Sequence, residues 1–408
     1  MNNQKSLMEN YDLLAPIKDA SHFEFDWALG AEFHDSSGKT YLDMNEMCTV
    51  LGQNNREYIH AISSVMNGIT SDKEGFGPYK AQLYKYLTES TDGFYKGIHL
   101  TVSGSEAVEW AVKLALKMTS RSETISFWNS THGRTQLSAS ISGLPKRKEG
   151  YGPITPGIIF APYPNCLECP MKRLNKCGRQ CIEMLEKAYT YGSSGDAGAL
   201  IVEPYQGAGV IIPPHGYLKE LYKWCHDHEI VFILDEIQSG MGRTGDMYCY
   251  EHEDIRPDML LLGKALGNGM HIGALLVEKL PDKDALPALS GGIGDETIAC
   301  AAACEVFRQL EHGLLTHIRQ MSGVLENELQ TLEKFSCVKE VRSTGLAAAV
   351  EFTDESICSR VGRKMKEKGF FTGHIKTALF CKPPYVITDE QLLLFFDNLR
   401  EIIESESL

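Results

Sequence analysis

No stretch of this 408-residue chain comes near the ~20 consecutive apolar residues that a membrane-spanning helix requires. Its first residues, MNNQKSLMENYDLLAP, also lack the basic-then-apolar pattern of an export signal, so a cytoplasmic location is expected. Positive charge is in short supply: 40 Lys and Arg face 54 Asp and Glu, for a formal charge of −14. Nucleic-acid binding rewards cations clustered against phosphates, and that balance argues against it. Short basic runs such as Lys146–Arg147–Lys148 read as solvated loop faces. There is no repeat and no low-complexity tract. The twelve cysteines, in a chain without an export signal, point to thiols, metal ligands or redox groups rather than a disulfide framework.

What is present is alternation. Short β-rich runs stand at 98–102 (IHLTV), 124–128 (TISFW), 198–204 (GALIVEP), 230–236 (IVFILDE), 258–263 (DMLLLG) and 273–278 (GALLVE). Amphipathic segments separate them. In 105–119, Val108, Ala111, Ala115 and Met118 recur at helical spacing, and in 216–228 Leu218, Leu221 and Cys225 do the same. Strand–helix alternation predicts an α/β fold with a mostly parallel sheet, whose ligands gather at the carboxyl ends of the strands. Beyond about 310, helical patterns at 306–335, 355–368 and 389–405 flank a strand-like 339–352, which predicts a smaller α+β domain. The expected division is an N-terminal segment 1–45 joining the small domain, a large domain 46–309 with a Cys-rich insert at 160–185, and a C-terminal small domain 310–408. HDSSGKTYLD (34–43) reads as two short strands about a turn at Ser37–Gly38.

Three segments carry chemistry. Asp235 follows an apolar run and should close a buried strand, where a carboxylate is costly unless paired. A protonated pyridinium nitrogen is one suitable partner, and a helix N-cap is the plainer alternative. Lys264 closes another apolar run. Desolvation there lowers a lysine's pKa, as a Schiff-base amine requires, whereas alone it would read as a snorkelling strand end. Ser103–Gly104–Ser105 lies between a strand and a helix, where free backbone N–H groups make an anion site suited to a phosphate. Ser–Gly before any helix would look similar. Gly240, Gly242 and Gly245 fit the dinucleotide fingerprint G-x-G-x-x-G, but the residues after them lack an apolar helical face. The next strand ends in Lys264 rather than an acid, which rejects a nicotinamide site.

SGSEAVE (103–109), HGRT (132–135), EPYQGAG (203–209), LDEIQSGMGRTG (234–245), PDMLLLGKALGNG (257–269) and RSTGL (342–346) stand in one order, preceded by GKTYLD (38–43). In this the chain resembles the class III, ornithine- and 4-aminobutyrate-like aminotransferases of fold type I, which depend on pyridoxal 5′-phosphate (PLP). The resemblance implies a large PLP domain, a small domain and active sites at a homodimer interface. It implies Lys264 as Schiff-base lysine and proton shuttle, and Asp235 as partner of the pyridinium nitrogen. Gln238 would lie by the phenolic oxygen, Gly104 and Ser105 at the phosphate with Ser103 beside them, and Glu203 in the site wall. His132 reads as a wall residue rather than a base, because Lys264 already moves the proton.

Three departures bear on the site. Thr131 stands where the family places an aromatic residue against the cofactor ring. LSGGIGDETIAC (289–300) replaces the segment whose threonine reaches the partner subunit's phosphate, with Ser290 or Thr297 as substitutes. Phe380 replaces a carboxylate-clamping arginine three positions before Pro383, Ala208 replaces a gating glutamate, and nearby Lys382 is no planar fork. An amine, amino alcohol, ketone or aldehyde on a larger scaffold is therefore the expected substrate class, with tailoring of a peptide natural product as one candidate.

Cys166, Cys169, Cys177 and Cys181 form C-x2-C-x7-C-x3-C, a spacing suited to zinc or an iron–sulfur cluster of structural role, or to thiols or one labile disulfide. The leading reading is ping-pong transfer of an amino group from an amine or amino acid to a ketone or aldehyde. Its rivals are a decarboxylase, epimerase or aminomutase on the same scaffold, and a catalytically retired PLP-binding partner protein.

Overall fold

The computed structural model describes residues 25–68, 77–169, 177, 179–280 and 296–407. Three strands open it: β1 (Phe25–Leu29), β2 (Glu32–Asp35) and β3 (Thr40–Asp43). The turn between β2 and β3 falls at Ser37–Gly38 as expected, with Asp35 accepting from the Ser37 and Lys39 N–H groups.

The central sheet holds β4 (Gly97–Thr101), β5 (Glu123–Phe127), β6 (Ile158–Ala161), β7 (Ala197–Val202), β8 (Val231–Asp235), β9 (Met259–Leu262) and β10 (Gly273–Val277), in the order β4-β10-β9-β8-β7-β5-β6. All six β-rich runs became strands, and β6 at the edge had no expectation behind it. The five strands from β9 to β6 are parallel, while β10 runs antiparallel to both β9 and β4. Both faces are covered, so the inner strands are continuously apolar rather than alternating. Ile201, Ile233, Leu261 and Leu275 pack with Val108, Ala111 and Ala115 of helix Gly104–Thr119. Leu200, Leu234, Leu260 and Leu276 face the larger core on the other side. Each such side chain contributes about 1.5–3 kcal/mol of burial.

The C-terminal part adds β11 (Val338–Thr344), β12 (Ala347–Phe352), β13 (Phe370–Phe371), β14 (Gly373–Ile375) and β15 (Ala378–Cys381). A four-stranded sheet runs β11-β12-β15-β14, so the strand-like 339–352 is an antiparallel hairpin. β13 instead joins β3 in parallel and ties the first strands to the C-terminal part. The helix expected over 306–335 is broken. Helix Thr297–Gln309 gives way at His312 and Gly313, the latter at φ 112°, before helix Leu315–Gln330 begins. Glycine alone adopts that backbone readily. Among the described residues no helix is long and apolar enough to cross a membrane.

Candidate active site

Two parallel neighbours, β8 and β9, deliver the two residues singled out for chemistry. Asp235 is the last residue of β8, and Lys264 follows β9 through Gly263. Close backbone approach gathers the third segment. A Cβ on Gly263 would lie 3.5 Å from the Gly104 Cα and 3.2 Å from Ile237, and one on Gly104 would lie 2.8 Å from Ile237. The Ser103–Ser105 turn, the loop after Asp235 and the Lys264 turn thus meet where side chains would keep them apart. Lys264 itself sits at φ 43°, a left-handed conformation rare outside glycine and costing on the order of 1–3 kcal/mol, which tertiary packing must sustain.

Asp235 is buried at 4% exposure, and its Oδ2 lies 2.8 Å from His132 Nδ1 while Oδ1 accepts from the Ile237 N–H at 3.1 Å. The buried carboxylate therefore has its partner, and that partner is the histidine read as wall. Burial pushes the Lys264 amine below the ordinary lysine range, opposed by Asp235, Glu203 and Cys48 and assisted by Arg147. Glu203 is buried and accepts from the Thr131 N–H at 2.9 Å and the Gly207 N–H at 3.0 Å; burial raises its pKa.

Ser103 caps helix Gly104–Thr119 by accepting from the Glu106 N–H at 3.2 Å, and the Glu106 carboxylate accepts from the Val102 N–H at 2.9 Å. Ser105 accepts from the Arg134 N–H at 3.1 Å, which ties the phosphate-type turn to HGRT. Thr297 is buried at the start of a helix that packs against the Lys264–Gly267 turn. Ser290 lies outside the described residues.

Three buried polar atoms here have no hydrogen-bond partner among the described residues: Thr131 Oγ1, His132 Nε2 and Gln238 Oε1. Buried polar atoms are normally satisfied. Together with the glycine-lined turn at a helix N-terminus, they fit a small polar ring bearing a phosphate, which is what PLP is.

The four cysteines offered as metal ligands differ in exposure. Cys166 and Cys177 are exposed and Cys169 and Cys181 half-buried, and among the described residues no group of three or more His, Cys, Asp or Glu is arranged to hold a metal ion. Burial, then the neighbouring Cys177 and Cys166, raise the Cys181 pKa, the opposite of an activated thiolate.

Sequence reasoning missed the His132–Asp235 contact and the roles of two buried cations. Lys382, at 1% exposure, donates to the Gly207 carbonyl at 2.6 Å and lies 4.4 Å over the Phe380 ring. Arg243, equally buried, donates to the carbonyls of Glu46, Leu346 and Pro383 at 2.6–3.0 Å. The K-P-P and M-G-R strings were the available signals. Trp110 is half-buried against the core, with Lys113 over its ring.

The family description Aminotransferase class-III matches residues 15–403. An ornithine aminotransferase of Oceanobacillus iheyensis is 31% identical over 398 residues, 92% of each chain. An acetylornithine aminotransferase of Methanopyrus kandleri is 32% identical over 331 residues, 80% of each chain. The solved taurine:2-oxoglutarate aminotransferase of Bifidobacterium kashiwanohense, in complex with PLP and glutamate, superposes at a TM-score of 0.86 with 26% identity over 98% of each chain. Motif order, site geometry and these likenesses agree, and the chain belongs to the class III aminotransferases.

Proposed function

We propose that this protein is a PLP-dependent transaminase that carries an amino group from an amine or amino-acid donor to a ketone or aldehyde acceptor in two half-reactions. The observation that carries this reading is the placement of Asp235 and Lys264 at the ends of adjacent parallel strands, with orphaned polar atoms beside them. When bound, PLP supplies an aldehyde that condenses with amines and a protonated ring that stores the electrons released at the substrate carbon.

The chain's own residues do the rest. Asp235, oriented by His132, offers a buried carboxylate that holds a proton on the ring nitrogen. Lys264 Nζ provides the resting amine and, once displaced by substrate, would take the proton from the substrate Cα and deliver it to the carbon that carried the cofactor's aldehyde. Its lowered pKa enlarges the uncharged fraction needed for both tasks. Gln238, held close to Gly207, presents its amide to the ring's phenolic oxygen. Backbone N–H groups at Gly104 and Ser105, on a helix N-terminus, suit the phosphate.

Half-buried Phe380 packs over Gly373, the residue it pairs with across β14 and β15, and so fills the clamp position with an apolar ring. That favours an amine or amino-alcohol donor on a larger scaffold at this wall, such as a peptide-linked amine. A homodimer in the cytoplasm, with Thr297 near its interface and a small domain from about residue 310, completes the reading. Mixing holoenzyme with donor amines alone tests it: a stoichiometric change in PLP absorbance without acceptor, reversed by a keto acid or ketone, supports transamination. Turnover that needs no carbonyl acceptor would instead mean another PLP reaction.

A further inference from the structure

Lys382 is a buried cation that the proposed chemistry leaves unused. It follows β15, which pairs with β12, and its own N–H donates to the Met44 carbonyl at 2.6 Å. Arg243 donates to the carbonyl of the next residue, Pro383, so the backbone around Lys382 is fastened. The side chain points its charge at a carbonyl. Nζ donates to Gly207 at 2.6 Å, with the Met47 sulfur at 3.9 Å and no carboxylate bonded to it among the described residues. At 1% exposure a lysine without an acid partner is costly; burial, then Lys264 and Arg243, disfavour its charge against Glu203 and Cys381. On the far side of that carbonyl, the Gly207 N–H donates to Glu203 at 3.0 Å, so Lys382 and Glu203 grip Gly207 from both ends. Between them its Cα faces the Gln238 amide, and a Cβ there would lie 2.5–2.7 Å from Nε2, Oε1 and Cδ. Gly207 is not at positive φ, so it is the amide rather than the backbone conformation that requires glycine. Gln238 Oε1 is buried without a hydrogen-bond partner among the described residues, which leaves contact with Gly207 to orient the amide.

We propose that Lys382 is a positioning residue: by holding the Gly207 carbonyl it fixes the surface against which the Gln238 amide is set toward the phenolic oxygen of PLP. The inference rests on the transaminase reading and adds to it a residue that acts through another rather than on the reacting atoms. Without the Lys382 hydrogen bond, Gly207 is free to recede and the amide to turn with it. A donor at the phenolic oxygen favours its ionised form, so a displaced amide raises the pH at which that oxygen ionises.

Titration of the full-length protein with PLP, followed by pH scans of the PLP absorbance in the loaded protein, tests this without turnover. Lys382→Met keeps the apolar stem and is expected to weaken PLP about 3- to 10-fold, the usual effect of one hydrogen bond. It should also raise the pH midpoint of the absorbance by about 0.5 unit. Gln238→Ala should do both. The double variant should go no further than the more affected single variant, because the two changes remove one shared contact. A cation acting directly on the ring would instead shift the midpoint equally with and without the Gln238 amide. Gly207→Ala, which keeps Lys382 but drives a Cβ into that amide, should reproduce the midpoint shift. Additive losses in the double variant, or wild-type affinity and midpoint in Lys382→Met, would overturn the proposal. Either result leaves the donor-dependent absorbance change of the wild type untouched, so the two readings fail separately.

Discussion

Lys264 and Lys382 are close enough for each charge to disfavour the other, yet their surroundings differ. Lys264 faces the Asp235 and Glu203 carboxylates, whereas Lys382 has the Gly207 carbonyl and an aromatic face and is pushed down to about 7, first by burial, then by Lys264 and Arg243. Its unfolded value is ~10.4. Between about pH 7 and ~10 the unfolded chain therefore binds a proton that the folded chain lacks, and stability rises with pH across that window. Below about 7 both states are protonated and the full cost of burying the charge remains. Urea unfolding of Lys382→Met should show a flatter pH profile, with the variant gaining up to ~4 kcal/mol on wild type at pH 6 relative to pH 10. Parallel profiles would show that Lys382 keeps its proton throughout. At this scale the reactive residues were legible because Asp235 and Lys264 each close an apolar run, where charge is anomalous. The His132–Asp235 contact was not, since 103 positions separate the two residues and nothing local couples them.

Strands and helices deliver these residues, and the delivery depends on what fastens the loops at the strand ends. Arg243 lies in the Gly240–Gly245 segment, whose glycines match the dinucleotide spacing that its sequence context already rejects. The segment instead places a buried guanidinium against carbonyls from three separate stretches, with Tyr385 4.7 Å beneath it. One ammonium cannot reach all three. Arg243→Lys should lower unfolding stability by about 2–3 kcal/mol, read as a reduced urea midpoint with an unchanged slope. A loss below about 0.5 kcal/mol would mean that the carbonyls find other partners. The six β-rich runs were legible because a sheet covered on both faces demands unbroken apolar strands. Strand β6 was not: Ile158–Ala161 is short, lies at the sheet edge and alternates between half-buried and buried. The antiparallel sense of β10 was likewise hidden, because direction leaves no mark on composition.

For the molecule as a whole, motif order carried the reading further than any single motif. The same order could not identify a substrate, because Phe380 and Ala208 depart where recognition is decided. Nor could spacing show whether four cysteines converge, which depends on loop geometry rather than count. The chain of 45.4 kDa exposes Phe25, Trp27 and Leu29 on β1 at 40–56%, apolar surface of the kind that association covers. Sedimentation should give twice the chain mass at micromolar concentration, and a single-chain mass there would refute the dimer. The central claim is that Lys264 is the site's resting amine and the group that moves the substrate Cα proton while the amino group is transferred. Single-turnover mixing of PLP-loaded protein with an accepted donor amine tests it most directly. The account predicts an absorbance change in wild type and, in Lys264→Ala, retained PLP with transfer slowed at least ~100-fold. Transfer by Lys264→Ala at the wild-type rate would contradict it.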